Sequence, residues 1–212
     1  MKRTGQPNCR HAPLPDLRPW RVLKESEVYA AGPWLRIVRQ RVRLPDGRVI
    51  DDYHQVQFPD YVTVIARTAG GRFIMLRKYN HGFRKTCLIF PGGMRQPDET
   101  PRRAAARELI EETGFAARRL TRLGRFRPHS NYGCGQVHFF LAEGCRPARP
   151  PEGEELEAVR VCTLSETETF RYMRSGRNPS LSCMAALLLA LERLGLTERF
   201  RRCRPRAAKR TR

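Results

Sequence analysis

Long apolar runs are missing from this chain, and acid is scarce. The longest uninterrupted apolar stretch, residues 183–191, falls far short of the roughly 20 residues that a membrane-crossing helix needs. No apolar segment follows the basic start at residues 1–10, so nothing there reads as a secretory leader. Cys-x-x-Cys spacing is absent too: Cys9, Cys87, Cys134, Cys145, Cys162, Cys183 and Cys203 are scattered singly, which argues against a zinc or dithiol redox site. They are expected to be reduced, structural thiols, and the expected location is cytoplasmic. No internal repeat is present that would make an array or solenoid.

The shortage of acid leaves 21 Asp and Glu against 41 Lys and Arg, a net charge of +20, with almost all the basic residues arginine. Such a field attracts polyanions in general. Residues 201–212 hold seven basic residues and no acid, yet no aromatic side chain on which a base could stack. A solvated basic tail is therefore the expectation there, with nucleic-acid binding as the alternative. At 212 residues, 40% hydrophobic and 29% charged, the chain is sized for one ordinary globular domain with tails.

Pro13, Pro15 and Pro19 punctuate a start with little apolar content, read as a flexible segment over residues 1–19. Residues 34–44 and 48–57 alternate apolar with polar around Pro45-Asp46-Gly47, which predicts a β-hairpin. The β-branched run at 61–66, the Gly70-Gly71 turn and the return at 73–76 predict buried central strands, with further strands at 137–141 and 158–161. Helices are predicted at 101–113, 164–174 and 181–194, the last stopped by Gly195. Mixed strands with a few helices point to an α/β layered domain over residues 20–198, followed by a basic tail at 199–212.

The helix at 101–113 carries the chemistry. Thr100 is a good N-cap, Pro101 suits a first helical position that needs no N–H, and Gly114 suits the stop. Glu108, Glu111 and Glu112, spaced i, i+3 and i+4, share one face, while Ala106, Leu109 and Ile110 lie roughly opposite. Acidic helix faces are ordinarily just solvated, but the surroundings here are not ordinary. Gly93, five residues, Glu99, seven residues, then Arg107-Glu108-Leu109-Ile110-Glu111-Glu112-Thr113-Gly114-Phe115 matches the Nudix box at every specified position.

On these residues the chain resembles the Nudix hydrolase family. The resemblance implies an α/β/α sandwich with a mixed central sheet and an N-terminal β-hairpin extension. It also implies Mg²⁺, with Mn²⁺ as a substitute, held by Glu108, Glu111, Glu112 and the carbonyl of Gly92. Glu99 and Arg107 are implied as an orienting pair. Carboxylates on one rigid face suit this cation, which takes oxygen ligands and keeps waters. Pro59-Asp60-Tyr61-Val62-Thr63-Val64, the segment Arg77-Lys78-Tyr79-Asn80-His81-Gly82, and Ser175-Gly176 are similar to the branch that hydrolyses ADP-ribose and other nucleoside diphosphate sugars. In that branch a loop supplies a catalytic glutamate, which aligns with Glu154, or with Glu152 as the alternative. The branch further implies an intertwined homodimer built through the N-terminal hairpin.

The chain departs from the branch at Asn80 and Ile89, where members carry Arg and Glu, and at Ser130, where a proline accompanies ADP-ribose preference; Pro128 lies two residues earlier. ADP-ribose is thus the leading candidate substrate, with Arg77, His129 and Tyr132 as candidate substrate contacts. GDP-mannose, a dinucleoside polyphosphate or capped RNA are alternative substrates. A nucleic-acid-binding Nudix module is the alternative from another class, against which the intact carboxylate face argues.

Overall fold

The computed structural model describes residues 18–152 and 158–204. The flexible segment expected at the N-terminus lies outside these residues up to position 17, as do the end of the basic tail from 205 onward and the acidic stretch 153–157 with Glu154. The described chain divides into two compact units, residues 18–57 with 131–133, and the remainder.

The first unit is a three-stranded antiparallel sheet, β1 (Arg21–Ala31), β2 (Leu35–Arg43) and β3 (Val49–Gln57), in the order β1-β2-β3. β2 and β3 form the expected hairpin. Their turn closes through Gly47, whose N–H donates to the Leu44 carbonyl at 3.0 Å, while the Asp46 carboxylate accepts from the Arg48 N–H at 3.0 Å. The additional strand β1 was hidden because bulges between Val22 and Lys24 and between Glu27 and Tyr29 break its alternation.

In the second unit the central sheet contains β4 (Tyr61–Thr68), β5 (Phe73–Asn80), β6 (Lys85–Ile89), β7 (Phe115–Ala116), β8 (Arg119–Phe126), β9 (Val137–Pro147) and β10 (Arg160–Leu164). Its order is β10-β5-β4-β9-β7, with β6 beside β5 and β8 beside β9. β4 and β9 run parallel and the other pairs antiparallel, so the sheet is mixed, as expected. Helix α1 (Pro101–Thr113) covers one face; α2 (Glu166–Arg174), α3 (Leu181–Arg193) and α4 (Thr197–Arg202) cover the other.

Strand alternation divides the core accordingly. Val62, Val64, Ile74 and Phe140 pack with Ala104, Ala105 and Leu109 of α1, whereas Ile65, Phe73, Met75 and Phe139 pack with Phe170, Leu187 and Leu191. The middle of β4 and the first halves of β5 and β9 are buried on both sides, which is why β4 reads as a continuous β-branched run. The result is the expected α/β/α sandwich. Helix α4 crosses the boundary expected between domain and tail, anchored by the buried Phe200 ring, which meets Phe170 edge-on at 5.3 Å. The six cysteines among the described residues form no disulfide. No helix among these residues is long and apolar enough to cross a membrane.

Candidate active site

Helix α1 begins and ends where its caps dictate. The Thr100 hydroxyl accepts from the Arg103 N–H at 3.3 Å, and Gly114, at φ 75°, returns its N–H to the Ile110 carbonyl at 2.8 Å. With Ala104, Ala105 and Leu109 buried against the sheet, the carboxylates at 108, 111 and 112 are placed at fixed positions on a rigid rod.

The loop between β6 and α1 approaches this rod closely. It is pinned to β4 by two backbone bonds of 2.9 Å, from the Val64 N–H to the Pro91 carbonyl and from the Val62 N–H to the Gly93 carbonyl. Between these pins the Gly92 N–H donates to Glu112 Oε2 at 2.7 Å. Neither glycine has room for a Cβ: at Gly92 it would collide with the Val62 carbonyl oxygen, at Gly93 with the Glu108 carboxylate. Close approach of backbone to carboxylate is thus what these glycines permit.

Arg107 organises the rest. Its Nε and Nη2 donate to the two oxygens of Glu99 at 3.0 Å each, a bidentate fork that ties α1 to the loop. Its Nη1 donates at 2.8 Å both to Glu108 Oε1 and to Glu111 Oε2, and Nη2 also reaches the Met94 carbonyl at 3.0 Å. Arg95 braces the loop from below, donating to the Glu99 carbonyl at 2.9 Å. Glu99 is held below its usual carboxylate range chiefly by the Arg107 hydrogen bond. Burial pushes the Glu108 carboxyl up, more than Arg107 draws it down, and Arg107 itself is driven further into its protonated form by Glu99.

Glu108 and Glu112 are 13% exposed and Glu111 31%, so the face is recessed but open at one side. Among the described residues no three His, Cys, Asp or Glu side chains converge closely enough, as they stand, to hold a metal ion. The donors nevertheless fit a hard divalent cation that keeps part of its hydration. They are carboxylate oxygens with the Gly92-Gly93 backbone alongside, in a cradle that a single Cβ would fill. Nudix hydrolases generally use a divalent ion of this kind.

The structure gathers Gly92, Glu99, Arg107, Glu108, Glu111 and Glu112 in one place. Glu154 lies outside the described residues, but Glu152 shows where its loop departs: the Glu152 N–H donates to the Glu111 carbonyl at 2.8 Å, at the end of α1. Glu152's own carboxylate is engaged by Arg149 at 2.7 Å. His129 and Tyr132 are exposed on the connection between β8 and β9, Tyr132 at its tip in the first unit. Arg77 is not brought to the carboxylates. On β5, Ile74 faces α1 and Phe73 and Met75 face α3, so Arg77 shares the α3 side, while the next residue, Lys78, turns to the carboxylates, its Nζ 3.9 Å from Glu112 Oε1. The place of Lys78 beside Glu112 is what motif matching passes over; two-residue periodicity along β5 was the signal available.

A NUDIX domain matches residues 57–181, and a nucleoside diphosphate sugar hydrolase N-terminal domain matches residues 20–56. The ADP-ribose pyrophosphatase of Bacillus subtilis (strain 168) is 30% identical over 151 residues, covering 71% of this chain and 81% of that protein. The methanol dehydrogenase activator of Bacillus methanolicus is 27% identical over 158 residues, covering 74% and 84%. A crystal structure of an ADP compounds hydrolase superposes with a TM-score of 0.74 at 21% identity, covering 86% of this chain and 100% of that one. The fold, the carboxylate face and the two matched domains agree, and the chain belongs to the Nudix hydrolase family, in the branch of ADP-ribose pyrophosphatases and nucleoside diphosphate sugar hydrolases, enzymes that act on pyrophosphate bonds.

Proposed function

We propose that this enzyme hydrolyses the pyrophosphate bond of a nucleoside diphosphate sugar with Mg²⁺ as its ion, and that ADP-ribose, cleaved to AMP and ribose 5-phosphate, is the leading substrate. The observation that carries this reading is the carboxylate face of α1 packed onto the Gly92-Gly93 loop, in a chain that also has the N-terminal domain of nucleoside diphosphate sugar hydrolases.

Glu108, Glu111, Glu112 and the Gly92 carbonyl would hold the ion, which when bound neutralises phosphate charge and acidifies a water. The remaining work belongs to the chain. Arg107 holds Glu108 and Glu111 at set orientations, and Glu99 in turn holds Arg107, so the ligands lose little freedom when the site fills. The Gly92 N–H fixes the rotamer of Glu112. Glu154, with Glu152 as the alternative, is the proposed base that takes the proton of the attacking water. A new P–O bond forms to that water oxygen, the bridging P–O bond breaks, and the released phosphate carries the departing electron pair. His129 and Tyr132 are the proposed contacts to phosphate and base. A cytoplasmic homodimer is part of the same proposal.

The test is a release screen over ADP-ribose, other nucleotide sugars, dinucleoside polyphosphates and capped RNA, each with and without Mg²⁺. Preferred, Mg²⁺-dependent cleavage of ADP-ribose supports the reading. Preference for capped RNA or a dinucleoside polyphosphate overturns the substrate assignment.

A further inference from the structure

We infer that the open hollow behind helix α1 is a second binding site, separate from the catalytic face, for a small organic phosphate held by Arg102, Arg103 and Arg118 over an apolar floor. It does not depend on what the catalytic face hydrolyses.

The walls of the hollow are fixed by the core beneath them. One wall is α1 with its cap, over residues 100–110, and the other is the passage from β7 into β8, over residues 116–120. Ala104, Ala105 and Leu109 of α1 share one buried cluster with Leu120, and Phe115 and Ala117 pack against it, so the two walls are joined from behind. Arg102 adds a tie across them, its Nη1 donating to the Leu120 carbonyl at 2.5 Å. The space between is about 480 Å³, inside the range of roughly 300–1,000 Å³ typical of small-molecule sites. At roughly 100° per residue, Ala106 and Ile110 stand about 160° around the helix from Glu108, so a ligand here does not meet the catalytic carboxylates.

The charge of the hollow is one-sided. Three guanidinium groups line it, and no Asp or Glu does. The acids nearest in sequence are engaged elsewhere, Glu99 by the Arg107 fork at 3.0 Å and Glu143 by Arg119 at 2.6 Å. Among the described residues no ion pair engages Arg102, Arg103 or Arg118. Like charges gathered in one concavity repel, and an oxyanion seated among them removes that repulsion while accepting charge-assisted bonds from planar forks. The Thr100 hydroxyl, which accepts from the Arg103 N–H at 3.3 Å, keeps its own proton to donate. Beneath these groups Leu120 is buried and Ile110 half-buried, with Ala106 and Ala117 beside them. A bare phosphate leaves that floor in water, whereas a phosphate ester lays its organic part on it. Concavity and floor together separate this place from a merely solvated basic surface.

Methyl-resolved NMR of the full chain tests this without requiring turnover, by titration with 1-naphthyl phosphate in a chelator that keeps metal from the catalytic face. The Ile110 and Leu120 methyl signals report on the hollow directly. Wild type and the double variant Arg103→Gln, Arg118→Gln are compared, with inorganic phosphate and 1-naphthol as companion probes. Saturable shifts at both methyls are expected with 1-naphthyl phosphate, with affinity about tenfold weaker in the double variant and weaker binding of either companion probe to wild type. No saturable shift at these methyls up to about 10 mM, or equal affinity in the folded double variant, overturns the inference. Inorganic phosphate binding as tightly as the ester overturns the organic-phosphate assignment. Turnover of ADP-ribose with Mg²⁺, recorded alongside, is expected to be alike in the two proteins; a wild type that fills the hollow yet leaves ADP-ribose intact would sink the substrate assignment alone.

Discussion

Gly92 and Gly93 are adjacent, and each lacks room for a methyl group for a different reason. At Gly92 the obstacle is the Val62 carbonyl, part of the backbone of a buried central strand; at Gly93 it is the end of the Glu108 side chain. Backbone in the sheet cannot yield cheaply, whereas a side-chain terminus can rotate. Gly92→Ala should therefore cost stability, about 1–3 kcal/mol, visible as a lowered midpoint in thermal or denaturant unfolding. Gly93→Ala should melt close to wild type but lose most of its activity, because Glu108 must leave its place beside the loop. A Gly93→Ala enzyme with full turnover would show that the position of Glu108 does not matter to the chemistry.

At the scale of elements, the loop of residues 90–100 and helix α1 are joined chiefly through Glu99 and Arg107. Glu99 titrates below its usual 4.5 because Arg107 hydrogen-bonds its ionised form. A carboxyl with a depressed folded pKa contributes stability that is present above the unfolded value and lost as pH falls through the folded one. Glu99→Gln should accordingly melt below wild type at pH 7, and the gap should close as pH drops below about 4.5. A gap of constant size from pH 7 to pH 3 would mean the pair acts only through shape.

The elements also differ in how openly the sequence announces them. α1 was legible to the residue, because Thr100, Pro101 and Gly114 are local signals and the Nudix box fixes the spacing of its carboxylates. β4 was legible as a β-branched run. β1 and β8 were not, since bulges at Val22/Lys24, Glu27/Tyr29 and Arg122/Gly124 interrupt the alternation that marks a strand. α4 was missed across the expected boundary between domain and basic tail, because Phe200 is its only large apolar residue and its anchoring depends on Phe170, far away in sequence. The same limit applied in the site. The box gave the spacing of the carboxylates on α1, but that Lys78 and not Arg77 stands beside Glu112 follows only from which face of β5 meets α1.

For the whole molecule, the expected homodimer draws on the matched N-terminal domain and on apolar side chains left exposed in the first unit, including Val28 at 56%, Tyr29 at 54% and Trp34 at 62%. Sedimentation at micromolar concentration should give twice the chain mass of 24.5 kDa; a single-chain mass would contradict the dimer. Deletion of the basic end tests the long-range charge. The cut belongs after Arg204, since α4 runs to Arg202 and Cys203 packs against the core. Removing residues 205–212 should leave turnover of a small nucleotide sugar unchanged while weakening salt-sensitive binding to polyanions, because exposed charges are screened within about 8 Å at physiological ionic strength. A large loss on the small substrate, not reproduced by added salt, would place a tail residue in the catalytic site.

The central claim is that carboxylates on one face of α1 carry a metal-dependent pyrophosphate hydrolysis, and one assay addresses it most directly: AMP release from ADP-ribose by wild type and Glu112→Gln, over a range of Mg²⁺ up to saturation and with a chelator control. Glutamine preserves shape and removes one charge, so the variant should fold as wild type does. The account predicts release by wild type that the chelator abolishes, and turnover by Glu112→Gln lower by about a hundredfold or more even at saturating Mg²⁺. Equal turnover by the two proteins, or release that persists in chelator, would contradict it.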